Sequence, residues 1–119
     1  MNARPVEILD VIVDCLDPER LASFWAAVLG REVAGRRGPY VWLSRGSNDL
    51  GVGFQKVAAP TPGKNRLHID IATSDLIPTK QRIESLGGRR ATGYEDGGFL
   101  VMADPEGNEF CVLRRRVDV

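Results

Sequence analysis

Asp10-Val-Ile-Val-Asp-Cys-Leu-Asp17 and His68-Ile-Asp-Ile-Ala-Thr-Ser-Asp75 decide the fold, because they are two versions of one pattern. Each begins on a polar residue inside a β-branched run. Each reaches, at the same spacing, an aspartate suited to open a helix. Each is followed by a helical stretch that stops at Leu-Gly, Leu29-Gly30 in the first copy and Leu86-Gly87 in the second. A repeat of this length means one supersecondary unit used twice.

Working outward, Val6 to Cys15 reads as a strand. Asp17 is a good N-cap, and Pro18 takes the first helical position, where its missing N–H is harmless. Leu21, Phe24, Trp25, Val28 and Leu29 recur at helical spacing, and Gly30 is a natural stop. Tyr40 to Ser44 and Gly51 to Val57 read as strands around the turn-rich Arg45-Gly-Ser-Asn-Asp49. Pro60, Pro62 and Gly63 mark 58–64 as a linker. In the second copy, Arg66 to Ala72 is a strand, a helix runs from near Asp75 through Ile83 and Leu86, and Gly98 to Ala103 and Glu109 to Arg114 are strands. The last two flank the hairpin signal Asp104-Pro-Glu-Gly-Asn108. The expectation is a single α+β domain, 1–119, of two tandem βαβββ modules at about 6–57 and 65–115.

Bulk properties agree with a globular domain. The chain has 119 residues, 43% hydrophobic and 27% charged, which is enough for one core. Sixteen basic residues balance sixteen acidic ones, so no net field favours nucleic acid or a membrane surface. Arg114-Arg115-Arg116 reads as a solvated tail. The N-terminus lacks the apolar run of a signal peptide, and two cysteines without CxxC spacing suit reduced thiols, so a cytoplasmic protein is expected.

Three stretches carry a resemblance: Asp17-Pro-Glu-Arg-Leu-Ala-Ser-Phe-Trp-Ala-Ala-Val-Leu-Gly30, Arg66-Leu-His-Ile-Asp70 and Asp104-Pro-Glu-Gly-Asn-Glu-Phe110. Together they resemble the vicinal oxygen chelate superfamily, which includes glyoxalases, bleomycin-resistance proteins and extradiol dioxygenases, and most of all its glyoxalase-like domains. The resemblance implies that the two modules form an open, cup-like mixed sheet with helices outside. It also implies a small-molecule ligand in the cup and a homodimer. In metal-dependent members a divalent ion is held from four strand positions, which fall here on Asp10, Gln55, His68 and Cys111.

Strand alternation sorts the side chains. Leu9, Val11, Val13 and Cys15 share one face of the first strand, and Asp10, Ile12 and Asp14 the other. On the fifth strand Ile69 and Ile71 face the helix while His68, Asp70 and Ala72 face the cup. On the last, Phe110 and Val112 face outward and Glu109, Cys111 and Leu113 inward. The candidate catalytic residues are His68, Asp10 and Glu109. Ligand contacts are expected from Asp14, Asp70, Gln55, Trp42, Phe54 and Tyr40, with Tyr94 and Phe99 as further aromatic walls.

The metal positions hold an unusual set. The chain has one histidine, Gln55 is a neutral donor, and Cys111 is a soft donor beside hard ones. Such a mixture suits zinc better than other ions, although the apolar surroundings of Phe110 favour a neutral thiol. Plainer roles are also open: Asp10 accepting a hydrogen bond from His68, Cys111 lining a pocket, Trp25 in the helix core, Asp17 and Asp104 as cap and turn former. The first expectation is therefore a small-molecule binder with no cofactor. The alternative is a lyase or isomerase acting next to a carbonyl, by acid–base chemistry or with zinc, nickel or manganese. The two-histidine iron triad of extradiol dioxygenases is beyond a chain with one histidine.

Overall fold

The computed structural model describes residues 8–46, 50–63, 65, 67–91 and 99–115. The chain divides into two compact units, Met1–Ala59 and Pro60–Val119. Each is a βαβββ module, and the architecture is α+β, as the repeat predicts.

The first unit runs β1 (Asp10–Cys15), α1 (Pro18–Leu29), β2 (Val33–Arg37), β3 (Tyr40–Leu43) and β4 (Gly51–Lys56). Its sheet has the order β1-β4-β3-β2. β1 and β4 are parallel, and the other pairs are antiparallel. The helix forms where expected. The Asp17 carboxylate accepts from the Arg20 amide at 3.1 Å, and Gly30 closes the helix with a left-handed φ of 67°. Leu21, Ala22, Phe24 and Trp25 are buried, as are Val41, Leu43, Phe54 and Cys15 from the strands. Phe24 and Trp25 meet edge to face, with centroids 5.3 Å apart.

An exposed tie joins α1 to β2. Arg36 donates from Nε and Nη2 to both carboxylate oxygens of Glu19, at 2.7 and 2.9 Å. This hydrogen bonding, with the attraction of the opposite charge, holds the Glu19 carboxyl below its ordinary value and raises that of the Arg36 guanidinium. A lowered carboxyl value means the tie is fully present above the usual glutamate range. It is lost as pH falls through the lowered folded value.

The second unit repeats the plan with β5 (Asp70–Thr73), α2 (Leu76–Ser85), β6 (Arg89–Arg90), β7 (Phe99–Ala103) and β8 (Glu109–Arg114), in the order β5-β8-β7-β6. Here β5 and β8 are parallel. Leu76, Ile83, Met102, Phe110 and Val112 are buried. The Asp104 turn is held from inside: its side chain is 1% exposed, and Oδ1 accepts from the amides of Glu106 (2.9 Å) and Asn108 (3.1 Å).

Three local details depart from expectation: β1 begins at Asp10, with Ile8 and Leu9 outside the strand read from Val6, and two lie in the second unit. β5 begins at Asp70, later than the strand read from Arg66, which itself lies outside the described residues. The Asn65 side chain supplies the reason. Its Oδ1 accepts from the Glu109 amide at 3.1 Å and its Nδ2 donates to the Glu109 carbonyl at 3.4 Å, occupying partners a longer strand would use. At α2, Asp75 sits in the N-cap position but its side chain makes no capping bond. Instead the Thr79 hydroxyl donates to the Asp75 carbonyl (2.8 Å) and meets the Thr73 hydroxyl (2.6 Å). Among the described residues, no helix is long and apolar enough to cross a membrane.

The buried positions generate a stability prediction. Phe110→Ala is expected to lower the unfolding free energy by about 3–5 kcal/mol. Asp104→Ala, which leaves two turn amides without their acceptor, is expected to lower it by about 1–3 kcal/mol. Urea unfolding followed by circular dichroism checks both.

Candidate functional site

Each helix covers one face of its own sheet, and most of the expected site residues lie on the other. In the first unit the register builds that face in rows. Asp14, Gln55 and Tyr40 form one row, Ile12, Gly53 and Trp42 the next, and Asp10 and Gly51 the third. Cross-strand partners point the same way, so the rows share one surface.

Tyr40 of the first row and Trp42 of the middle row make a platform. Tyr40 and Trp42 stack with centroids 5.1 Å apart and planes 15° from parallel. The indole lies over Gly53: a Cβ there would come within 2.7 Å of Trp42 Cδ1 and Nε1 and 3.0 Å of Ile12 Cδ1. The missing side chain is what lets the ring lie down on the sheet. Both aromatic residues remain partly exposed.

The third row holds an ion pair. Asp10 Oδ1 lies 2.5 Å from Arg45 Nη2, with the Asp10 side chain 24% exposed. Gly51 makes room for it, since a Cβ there would collide with both the Asp10 carboxylate and the Arg45 guanidinium. Sequence reading did not single out Arg45, which lay in a turn-rich segment with nothing to mark its partner.

In the second unit the same kind of face carries Asp70 and Ala72, then Glu109, Cys111 and Leu113, with Phe99 across from Leu113; His68 lies just before β5, beside Asp70. His68 Nε2 lies 3.2 Å from Asp70 Oδ1. Asp70 and Cys111 are direct partners across the parallel pair. One donor atom from each of His68, Asp70 and Cys111 lies within 4.8 Å of the other two. Glu109 shares the face one row away, opposite Ala103, and is not part of this cluster.

The expected site residues therefore fall into groups. Tyr40, Trp42, Asp14, Gln55 and Asp10 share the free face of the first sheet. His68, Asp70, Cys111 and Glu109 share that of the second. Phe54 is corrected: it is fully buried on the helix side, because the alternation that exposes Gln55 turns its neighbour inward. Tyr94 lies outside the described residues. Asp70, read from the sequence as a ligand contact, gains a closer association with His68 and Cys111. Period-two alternation already put His68 and Asp70 on one side, but the Asp70–Cys111 register is a tertiary fact.

Four-position metal chemistry fits these residues poorly. A guanidinium stands against the Asp10 carboxylate where a cation would bind, and Gln55 supplies only a neutral oxygen.

Paired βαβββ modules of this kind, each with a polar face opposite its helix, define the vicinal oxygen chelate fold. Residues 10–113 match the model of the glyoxalase-like domain family, and the chain belongs to that family. Comparison with curated proteins gives no match. Among solved structures, the chain is similar to a glyoxalase/bleomycin resistance protein/dioxygenase family enzyme from Burkholderia phytofirmans PsJN (TM-score 0.72, 16% identity, covering 92% of this chain and 98% of that one). It is also similar to a glyoxalase-related enzyme from Fulvimarina pelagi (0.71, 17%, 92% and 88%). A third likeness is the trypanothione-dependent glyoxalase I of Leishmania major (0.68, 17%, 92% and 87%). At these identities the likeness is one of fold.

The glycine-backed platform can be tested directly. Gly53→Ala is expected to lift the Trp42 indole off the sheet, raise its quenching by acrylamide and destabilise the protein by about 1–3 kcal/mol. Unchanged indole fluorescence and quenching would show that the ring does not rest there.

Proposed function

We propose that this glyoxalase-like protein binds a small, flat organic molecule, and that it does so without an ion held jointly by the four positions used by metal-dependent relatives. The observation that carries this reading is the Tyr40–Trp42 stack lying over Gly53. Two rings held nearly parallel on a sheet offer a broad apolar surface at little further entropic cost, because their rotamers are already restrained. Asp14 and Gln55, in the same row as Tyr40, supply an acceptor and an amide that would orient a ligand's polar edge. The Asp10–Arg45 pair argues against a metal-first reading, since an ion would have to displace an opposite charge already in place.

A second reading has its own support. The His68–Asp70 contact resembles an imidazole oriented by a carboxylate, the arrangement of a general base. On that reading the protein is a lyase or isomerase that moves a proton next to a carbonyl, with His68 as base.

Binding is checked by thermal shift and tryptophan quenching against planar aromatic metabolites and antibiotics. The expected result is at least one ligand whose affinity falls about tenfold or more in Trp42→Ala, the equivalent of ~1.4 kcal/mol. A broad library without a hit, or hits indifferent to Trp42→Ala, overturns the proposal. The second reading is checked by deuterium exchange at carbons next to the carbonyl in a panel of hydroxy- and keto-carbonyl compounds. Exchange present in the native protein and lost in His68→Asn would favour it.

A further inference from the structure

We infer that His68, Asp70 and Cys111 form a three-donor site for a zinc-class divalent ion, contained within the second unit. Two of these positions coincide with metal positions of the superfamily. Asp70 does not, and it replaces the contributions expected from Asp10 and Gln55 in the first unit.

The geometry rests on a rigid pair of strands. Asp70 and Cys111 are register partners in the parallel β5–β8 ladder, and the Cys111 amide donates to the Ile69 carbonyl at 2.9 Å. That bond ties the backbone between His68 and Asp70 to β8, and the two side chains meet at 3.2 Å beside Cys111. Their donor atoms lie within 4.8 Å of one another. Tetrahedral zinc, with bonds of about 2.0–2.3 Å, requires donors about 3.3–3.8 Å apart. The side chains of His68 and Asp70, 53% and 56% exposed, have room to rotate toward that spacing.

The chemistry of the donors selects the ion. Thiolate, imidazole and carboxylate together suit borderline zinc, and the sulfur disfavours magnesium, calcium and manganese. Three protein donors leave a fourth position open, the arrangement of zinc sites that admit water or a ligand oxygen. Asp10 is different: its carboxylate faces Arg45, whereas Asp70 faces an imidazole that can itself become a ligand. On binding, the thiol proton of Cys111 is released to solvent and His68 binds as the neutral imidazole, so uptake is accompanied by proton release.

The test uses the full chain, freed of any histidine tag and stripped with chelator, titrated with cobalt(II) as a spectroscopic substitute for zinc. The expected result is one equivalent bound in the micromolar range or tighter. A near-ultraviolet thiolate-to-cobalt charge-transfer band should appear and be abolished by competing zinc. Cys111→Ser should remove the band, and Asp70→Asn and His68→Asn should each weaken binding about tenfold or more. Asp10→Asn should leave band and affinity unchanged. Circular dichroism of each variant separates loss of the site from loss of the fold. Three outcomes overturn the inference: no charge-transfer band, half-saturation in the millimolar range, or binding that survives Asp70→Asn but is lost in Asp10→Asn. The last would place the ion at the superfamily's usual positions. The site stands independently of the proposed binding function, because Trp42-dependent ligand binding is measured on the metal-stripped protein.

Discussion

The parallel pairing of the first and last strands in each unit, β1 with β4 and β5 with β8, is the constraint on which the rest depends. Parallel neighbours cannot be joined by a tight turn, so the chain must cross over, and here a helix begins each crossing. The helix then covers one face of the sheet and claims every second side chain for a core. What is left on the other face follows from that arrangement: Asp10, Asp14, Gln55, Tyr40 and Trp42 in one unit, His68, Asp70, Glu109 and Cys111 in the other.

The two units share this frame and use it differently. In the first, Gly51 and Gly53 leave the centre of the face without side chains, and neighbours lie into the space: a guanidinium onto Asp10 and an indole onto the sheet. The result is a neutralised carboxylate beside an aromatic platform. In the second, the equivalent strand carries Cys111 where the first carries Gly53, and its partner is an aspartate two residues from a histidine. Polar groups held this way are matched by one another rather than by an arginine. Whether a carboxylate faces a guanidinium or an imidazole decides what it can bind, because only the second partner can become a fellow ligand.

Much of this was legible in advance, for reasons that can be named. The repeat, the Asp17 cap, the Gly30 stop and the Asp104 turn are local, encoded within a few residues of where they act. Strand alternation is nearly as local, and it put Asp10, His68, Asp70 and Cys111 on the faces they occupy. It also rules out Phe54 as a ligand contact, since Gln55 and its neighbour cannot both face the same way. Asp75 shows the limit of local reading: it stands where Asp17 stands in the first copy, yet hydroxyls of Thr73 and Thr79 organise the turn instead.

By itself, then, the sequence determined the class of fold, the two-module plan, the helix-facing core and the side of each sheet on which polar residues emerge. These depend on periodicities and caps that act over one turn or one strand. Tertiary structure alone decided the partners. Arg45 reaches Asp10 from a loop 35 positions away in the chain, Asn65 delays the start of the fifth strand by taking the backbone of Glu109, and Cys111 meets Asp70 only through the register of a parallel ladder. The physical reason is common to all three: a contact between distant segments depends on how strands align after the chain crosses over, and no local pattern records that alignment.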